Sequence, residues 1–209
     1  MQVLLVAGEP LKDELLNNTT ILPAIKWITK PGEEDNIKYD ACIDLNFDST
    51  PARIDWLNQL QSPLVVINSV ITTVQQLQAD FIRINGWTTF LQRPIIEAAT
   101  INEDNKTITE ELFLLFGKKT QWVPDIMGLI TPRIIASIIN EAFFALQENV
   151  STRDEIDIAM KLGTNYPFGP FDWSEKIGLD NIYALLSELS KSNKRYLPAD
   201  LMTQTILNK

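Results

Sequence analysis

The chain has no histidine at any of its 209 positions and a single cysteine, Cys42. The first absence excludes every mechanism that rests on an imidazole base or an imidazole metal ligand. Together the two argue against a zinc site, and no other spacing of acidic residues suggests a metal. One cysteine cannot form an internal disulfide, so a reducing cytoplasm is the expected compartment. The chain also lacks a long basic run, and its formal net charge is −9. Nucleic acid and anionic membrane surfaces, which both need a positive patch, are therefore not the expected partners. No apolar run reaches the length of a membrane span. The opening MQVLLVAGEP has neither a basic segment nor a small-residue cleavage site, and reads as a first strand and not as a signal peptide.

What is present is ordinary for a globular protein: 45% apolar and 22% charged residues, in a chain long enough to bury a substantial core. Short apolar runs alternate with helical patterns through the first half. Strands are expected at 2–7, 24–30, 40–47, 63–69, within FIRINGW and at 94–100. Helices are expected after Pro10, behind Asp48 or Ser49 as N-cap with Pro51 in the first turn, and in TTVQQLQ. This alternation predicts an α/β domain with a mostly parallel sheet. TITEELFLLFGKKTQWV adds a helix and a last strand.

From about residue 123 the pattern becomes helix after helix. In ITPRIIASIINEAFFALQEN, Ile135, Ile138, Ile139, Ala142 and Leu146 share one stripe, and Pro132 fits only a first turn. Ser151 is the expected cap of the next helix and Gly163 its expected end, with Asp154 and Asp157 read as a cap and a solvated face. Helices are also expected in GLDNIYALLSELSKS and PADLMTQTILNK. Between them, GTNYPFGPFDWSEKIGLD packs two prolines, three glycines and four aromatics into eighteen residues, the composition of a stiff loop with a large apolar content. The expected division is 1–122 for the α/β half and 123–209 for the helical half.

The helical half carries a run of shared positions: Gly128, Leu129, Ile130 and Arg133; Asn140-Glu141-Ala142; Asp154, Ile156, Asp157, Ala159, Met160 and Gly163; then Pro167, Gly169, Pro170, Phe171, Asp172, Gly178, Leu179 and Asp180. In this it resembles the C-terminal domain of the 3-hydroxyacyl-CoA dehydrogenases. The resemblance implies a Rossmann-like first half that binds NAD, here shortened. It also implies a helical half that closes over an acyl-CoA substrate of fatty-acid metabolism and forms a homodimer through 128–209.

Held against that family, the first half departs at several positions. The glycine-rich phosphate turn is replaced by Ala7-Gly8-Glu9-Pro10-Leu11-Lys12. The family glycines are absent from positions such as Ala7, Glu9 and Lys12; Glu9 brings a carboxylate toward the place of the phosphates and Pro10 removes an N–H. The family's catalytic segment laid on Phe81-Ile82-Arg83-Ile84-Asn85 puts Arg83 on a glycine, Asn85 on the catalytic histidine and Glu97 on its glutamate partner. Asn68-Ser69-Val70 stands for the polar strand end that helps bind substrate, and Pro132 for an asparagine facing the site. A carboxamide cannot take up the hydroxyl proton near neutral pH.

Two functions follow. One is a catalytically degenerate homologue that binds acyl-CoA or a partner enzyme. The other is a divergent NAD-dependent dehydrogenase retaining Glu97 and Ser69.

Overall fold

The structure, a computed structural model, describes residues 1–17, 19 and 23–208. The chain divides into two compact units, Met1–Leu129 and Ile130–Lys209. The first is α/β and the second all-helical.

The first unit is a seven-stranded sheet: β1 (Gln2–Val6), β2 (Ala24–Ile28), β3 (Ala41–Asp44), β4 (Val65–Asn68), β5 (Ile82–Ile84), β6 (Ile95–Ala99) and β7 (Lys119–Trp122). They lie in the order β2-β1-β3-β4-β5-β6-β7, parallel except for the β5–β6 pair. Its helices are α1 (Glu9–Leu16), α2 (Pro51–Gln59), α3 (Val74–Leu77) and α4 (Lys106–Leu115). The inner strands β1, β3 and β4 are near-continuous apolar runs because both faces are covered. Val3, Leu5, Ile43, Val66 and Ile84 point to a layer with Leu15, Leu112 and Phe113. Leu4, Val6, Cys42, Val65 and Ile67 point to one with Leu57, Val74 and Tyr39. Burial pushes the Cys42 thiol far above its ordinary pKa, which makes it an inert packing residue. The chain leaves β1 toward β2 on one side and returns to β3 on the other. This places a topological switch point at the carboxyl ends of β1 and β3.

The second unit comprises α5 (Thr131–Gln147), α6 (Arg153–Thr164), α7 (Pro170–Ile177), α8 (Leu179–Ser190) and α9 (Asp200–Leu207). Lys209, at the end of the expected last helix, lies outside the described residues. In the α5 stripe Ile135, Ile139 and Ala142 are buried, Ile138 and Leu146 half-buried, and Pro132 sits in the first turn.

Several local expectations are corrected. Thr50 caps α2 by accepting from Arg53 N; Asp48 is engaged with Thr50, and Ser49 takes a left-handed φ of 60°. Thr152 caps α6 in a box with Glu155, while Ser151 only donates to that glutamate. Gly163 is inside α6, which ends at Asn165 in the left-handed conformation (φ 56°). The aromatic stretch is not simply a loop. It contains α7, with Gly169 as N-cap, Pro170 at the first position, and Gly178 (φ 91°) closing it.

Asp157 is no solvated-face residue. Its two carboxylate oxygens accept the N–H groups of Phe171 (2.8 Å) and Asp172 (3.0 Å), so α6 caps α7 from outside. A Cβ on Gly169 would stand 2.3 Å from Asp157 Cγ, so glycine is what lets the carboxylate approach. Above this joint Phe171 meets Phe143 edge-on at 5.2 Å, and Trp173 meets Tyr166 at 5.5 Å. Asp157→Ala should lower stability by about 1–2 kcal/mol, the range of a lost helix cap, read as a shift of the urea midpoint with an unchanged slope.

Candidate functional site

The switch point is built from the ends of β1, β2 and β3. The backbone N–H of Gly8, the first residue beyond the β1 end able to face a phosphate, donates to Asn46 Oδ1 at 3.1 Å. The same carboxamide donates from Nδ2 to Thr29 O at 3.2 Å, so Asn46 bridges the crevice mouth. The Trp27 indole N–H donates to Ala7 O at 2.9 Å, and the Lys12 ammonium lies 3.7 Å from the Trp27 ring centroid. Glu9 occupies the first position of α1, Pro10 follows without an N–H, and Gly8 offers no side-chain cap. Beneath lies Asp44, wholly buried, which accepts from Arg53 Nε at 2.6 Å and Nη2 at 2.7 Å. Burial pushes Asp44 up and the two guanidinium bonds oppose that rise. Burial works against the Arg53 charge too, but Asp44 wins and holds it above its ordinary value.

A dinucleotide's pyrophosphate needs unengaged N–H groups at such a turn and a close backbone approach. Here the Gly8 donor is taken by Asn46, and a carboxylate opens the helix. These residues do not fit the pyrophosphate of NAD in the glycine-turn manner.

The positions matching the catalytic pair are brought together by the β5–β6 ladder. Arg83 is opposite Ala99 and Ile84 opposite Ala98; one step on, Asn85 N donates to Glu97 O at 3.2 Å. Asn85 is buried, and its Oδ1 accepts from Trp87 N at 3.3 Å, closing a local turn. Glu97 is half-buried; burial depresses the pKa of Arg93 and the Glu97 charge works against that. Asn68 Nδ2 donates to Leu45 O (3.2 Å) and Gly86 O (3.3 Å), while its Oδ1 accepts Gly86 N at 3.0 Å. Ser69 Oγ donates to Thr72 O at 2.7 Å. Each polar group that the strand-end match would turn toward a substrate thus holds a loop in this structure. The carboxamide at 85 can donate or accept a hydrogen bond but cannot serve as a base, whereas the Glu97 carboxylate can.

Sequence reasoning missed a second wholly buried charge. Arg83 is fully buried; it pairs with Asp125 at 3.1 Å and donates to Ile126 O at 2.9 Å, with Val70 O and Thr72 O at 3.4 Å. Asp125 in turn accepts from Val74 N (3.3 Å) and Gln75 N (3.1 Å), the start of α3. Burial lowers the Arg83 pKa and Asp125 opposes the fall. An arginine inside the apolar run Phe81–Ile84 was the available signal, because such a charge requires a buried partner. Among the described residues no group of three or more His, Cys, Asp or Glu could hold a metal, and no helix is long and apolar enough to cross a membrane.

Against known proteins, residues 128–209 match the family model for the C-terminal domain of 3-hydroxyacyl-CoA dehydrogenase. The 3-hydroxyadipyl-CoA dehydrogenase of Escherichia coli is 39% identical over 115 residues, 54% of this chain and 24% of its own length. A 3-hydroxybutyryl-CoA dehydrogenase of Bradyrhizobium diazoefficiens is 32% identical over 100 residues, 47% of this chain and 34% of its own. The chain thus spans about a quarter to a third of these two curated relatives. Among solved structures, an (S)-3-hydroxybutyryl-CoA dehydrogenase from Ralstonia eutropha matches with a TM-score of 0.78 at 21% identity, over 99% of this chain and 93% of that one. A 3-hydroxybutyryl-CoA dehydrogenase from Escherichia coli matches with a TM-score of 0.58 at 31% identity, over 68% of this chain and 31% of that one. The family model matches the helical half, the 115-residue match to the Escherichia coli relative is longer than that half, and the fold likeness runs across the chain.

Proposed function

We propose that this chain is a 3-hydroxyacyl-CoA dehydrogenase homologue that does not transfer hydride and that acts by binding an acyl-CoA or a partner enzyme. The observation that carries the reading is the engaged turn at Gly8, whose N–H is held by Asn46 where a phosphate would need it. Asn85 at the position of the family base supports it independently, since a carboxamide has no proton affinity near neutral pH. The similarity to 3-hydroxyadipyl- and 3-hydroxybutyryl-CoA dehydrogenases supports a ligand drawn from short acyl-CoA thioesters of fatty-acid metabolism. The inert single thiol agrees with a cytoplasmic setting. Ile158 and Leu162, 54% and 83% exposed on α6, are apolar side chains that a homodimer contact within 128–209 would cover.

One observation favours the other reading, a divergent NAD-dependent dehydrogenase: the ladder sets Glu97 opposite Asn85, leaving one carboxylate able to take a proton there. The two readings separate on the Asn85→His variant, assayed for acetoacetyl-CoA reduction through NADH absorbance. A general base is worth about 10²–10⁴ in rate. If only the base were missing, the variant would gain activity of that order. Our reading expects both proteins to leave NADH unconsumed, because restoring a base does not release the Gly8 turn. Activity gained by the variant would show a site intact except for its base.

A further inference from the structure

Asn85 and Gly86 form the single Asn-Gly pair of the sequence. In such a pair the glycine nitrogen can attack the side-chain carbonyl carbon of the asparagine, because no Cβ on the second residue hinders ring closure. The pair stands just beyond β5, and both residues are buried, Asn85 with 3% exposure. Position 86 has no room for another residue: a Cβ there would stand 2.6 Å from Asn68 Cγ and 2.8 Å from Asn68 Oδ1. The contact that demands glycine is therefore the one that creates the labile pair.

The same contact engages both polar groups of Gly86. Its N–H donates to Asn68 Oδ1 at 3.0 Å, and its carbonyl accepts from Asn68 Nδ2 at 3.3 Å. Asn68 Nδ2 also donates to Leu45 O at 3.2 Å, which ties the carboxamide to the residue after β3. The two reacting centres are thus treated in opposite ways. Asn85 Oδ1 accepts from Trp87 N at 3.3 Å, which polarises that carbonyl and leaves its carbon electrophilic. The Gly86 nitrogen must lose its proton before it can attack. A hydrogen bond made by the neutral N–H disfavours that loss, and the anion left behind would face the lone pairs of Asn68 Oδ1.

We propose that Asn85–Gly86 is a latent deamidation site and that the Asn68 carboxamide keeps it closed. Once opened, the site needs only water as a reactant. Solvent base takes the Gly86 amide proton, and the nitrogen bonds to Asn85 Cγ. The Cγ–Nδ2 bond breaks and ammonia leaves, taking up a proton. Water then opens the cyclic imide at one of its two carbonyls and leaves aspartate or isoaspartate at position 85, with no oxidation or reduction. Aspartate would set a carboxylate at the ladder step that faces Glu97, and isoaspartate would lengthen the main chain there by one carbon. Asn68 thereby preserves the carboxamide at 85. All of these residues lie in the first unit, and the inference stands whether or not the dehydrogenase reading does.

The test is incubation of the full chain at mildly alkaline pH, folded and in urea. Conversion at Asn85 is read by peptide mass spectrometry as the gain of one mass unit, and by release of ammonia. The parent should convert readily in urea and at least about tenfold more slowly when folded. Folded Asn68→Ala should convert about tenfold faster than the folded parent, the rate equivalent of one lost hydrogen bond. Asn68→Asp keeps an acceptor for the Gly86 N–H but loses both donated bonds, so it should stay as slow as the parent. Asn68→Leu, of similar shape, replaces Asn68→Ala if circular dichroism shows the alanine variant unfolded. A folded parent that converts as fast as in urea overturns the proposal. So does a folded Asn68→Ala or Asn68→Leu that is no faster than the parent. Equal acceleration by Asn68→Asp overturns it too, because loosening of the loop, and not exposure of the masked nitrogen, would then set the rate.

Discussion

Asp125→Ala should destabilise the protein by about 3–5 kcal/mol, the cost of leaving a buried charge without its partner. Arg83 has no exposed surface through which water could replace the carboxylate. Carbonyls at Ile126, Val70 and Thr72 remain as acceptors, but they carry no countercharge. The substitution also removes the acceptor of Val74 and Gln75 N–H at the start of a helix of four residues. Arg83→Met with Asp125→Asn should lose much less, within about 1–2 kcal/mol of the parent, because a neutral pair of similar volume removes the desolvation cost of both ions. Equilibrium urea unfolding of the three proteins checks this. A double variant as unstable as Asp125→Ala would show that the position needs the ion pair for some reason other than charge compensation.

Arg53→Met should have an effect of similar size, about 3–5 kcal/mol near neutral pH, with a distinct pH signature. It leaves the Asp44 carboxyl buried with Asn46 N as the hydrogen-bond donor still in place. Burial then raises the folded-state pKa of Asp44 further, opposed by the Asn46 N–H bond but no longer by the guanidinium, above an unfolded value of about 3.9. A carboxyl raised in the folded state favours folding when it is protonated. The variant is therefore closest to the parent where Asp44 is protonated in both, and falls away as pH rises from the parent's folded pKa to the higher folded pKa of the variant. Thermal melts of parent and variant between pH 4 and 8 read the gap directly. A gap independent of pH would mean that the loss comes from packing of the arginine stem and not from the unpaired acid.

These two arginines also mark the limit of what the chain's sequence discloses. Most strands could be read because they are short apolar runs closed by a turn, and the helical half because its apolar positions recur at helical spacing. Asn85 and Glu97 are placed as a pair by the resemblance to the family's catalytic segment, and the antiparallel β5–β6 register does set them opposite each other. What could not be read were contacts between distant segments. Arg83 with Asp125, Asn46 with Gly8, and Asp157 with the start of α7 each join residues that no local period connects. The hidden helix α7 failed for a different reason. Its prolines and glycines were weighed as loop residues, whereas Gly169-Pro170 at the start and Gly178 at the end are the punctuation of a short helix. Asn46 was the most consequential omission. It sits between Leu45 and Phe47 inside the expected strand 40–47, where an asparagine carries no signal of its own, and only the fold shows it lying on the β1–α1 turn.

The central claim is that the Gly8 turn, engaged by Asn46 and opened by Glu9, leaves no place for a dinucleotide. A fluorescence titration of NADH into the full chain, carried to millimolar concentration, tests it most directly. The account predicts no saturable change, with acetoacetyl-CoA present or absent. Saturable micromolar binding accompanied by turnover of acetoacetyl-CoA would contradict it and return the chain to the working dehydrogenases.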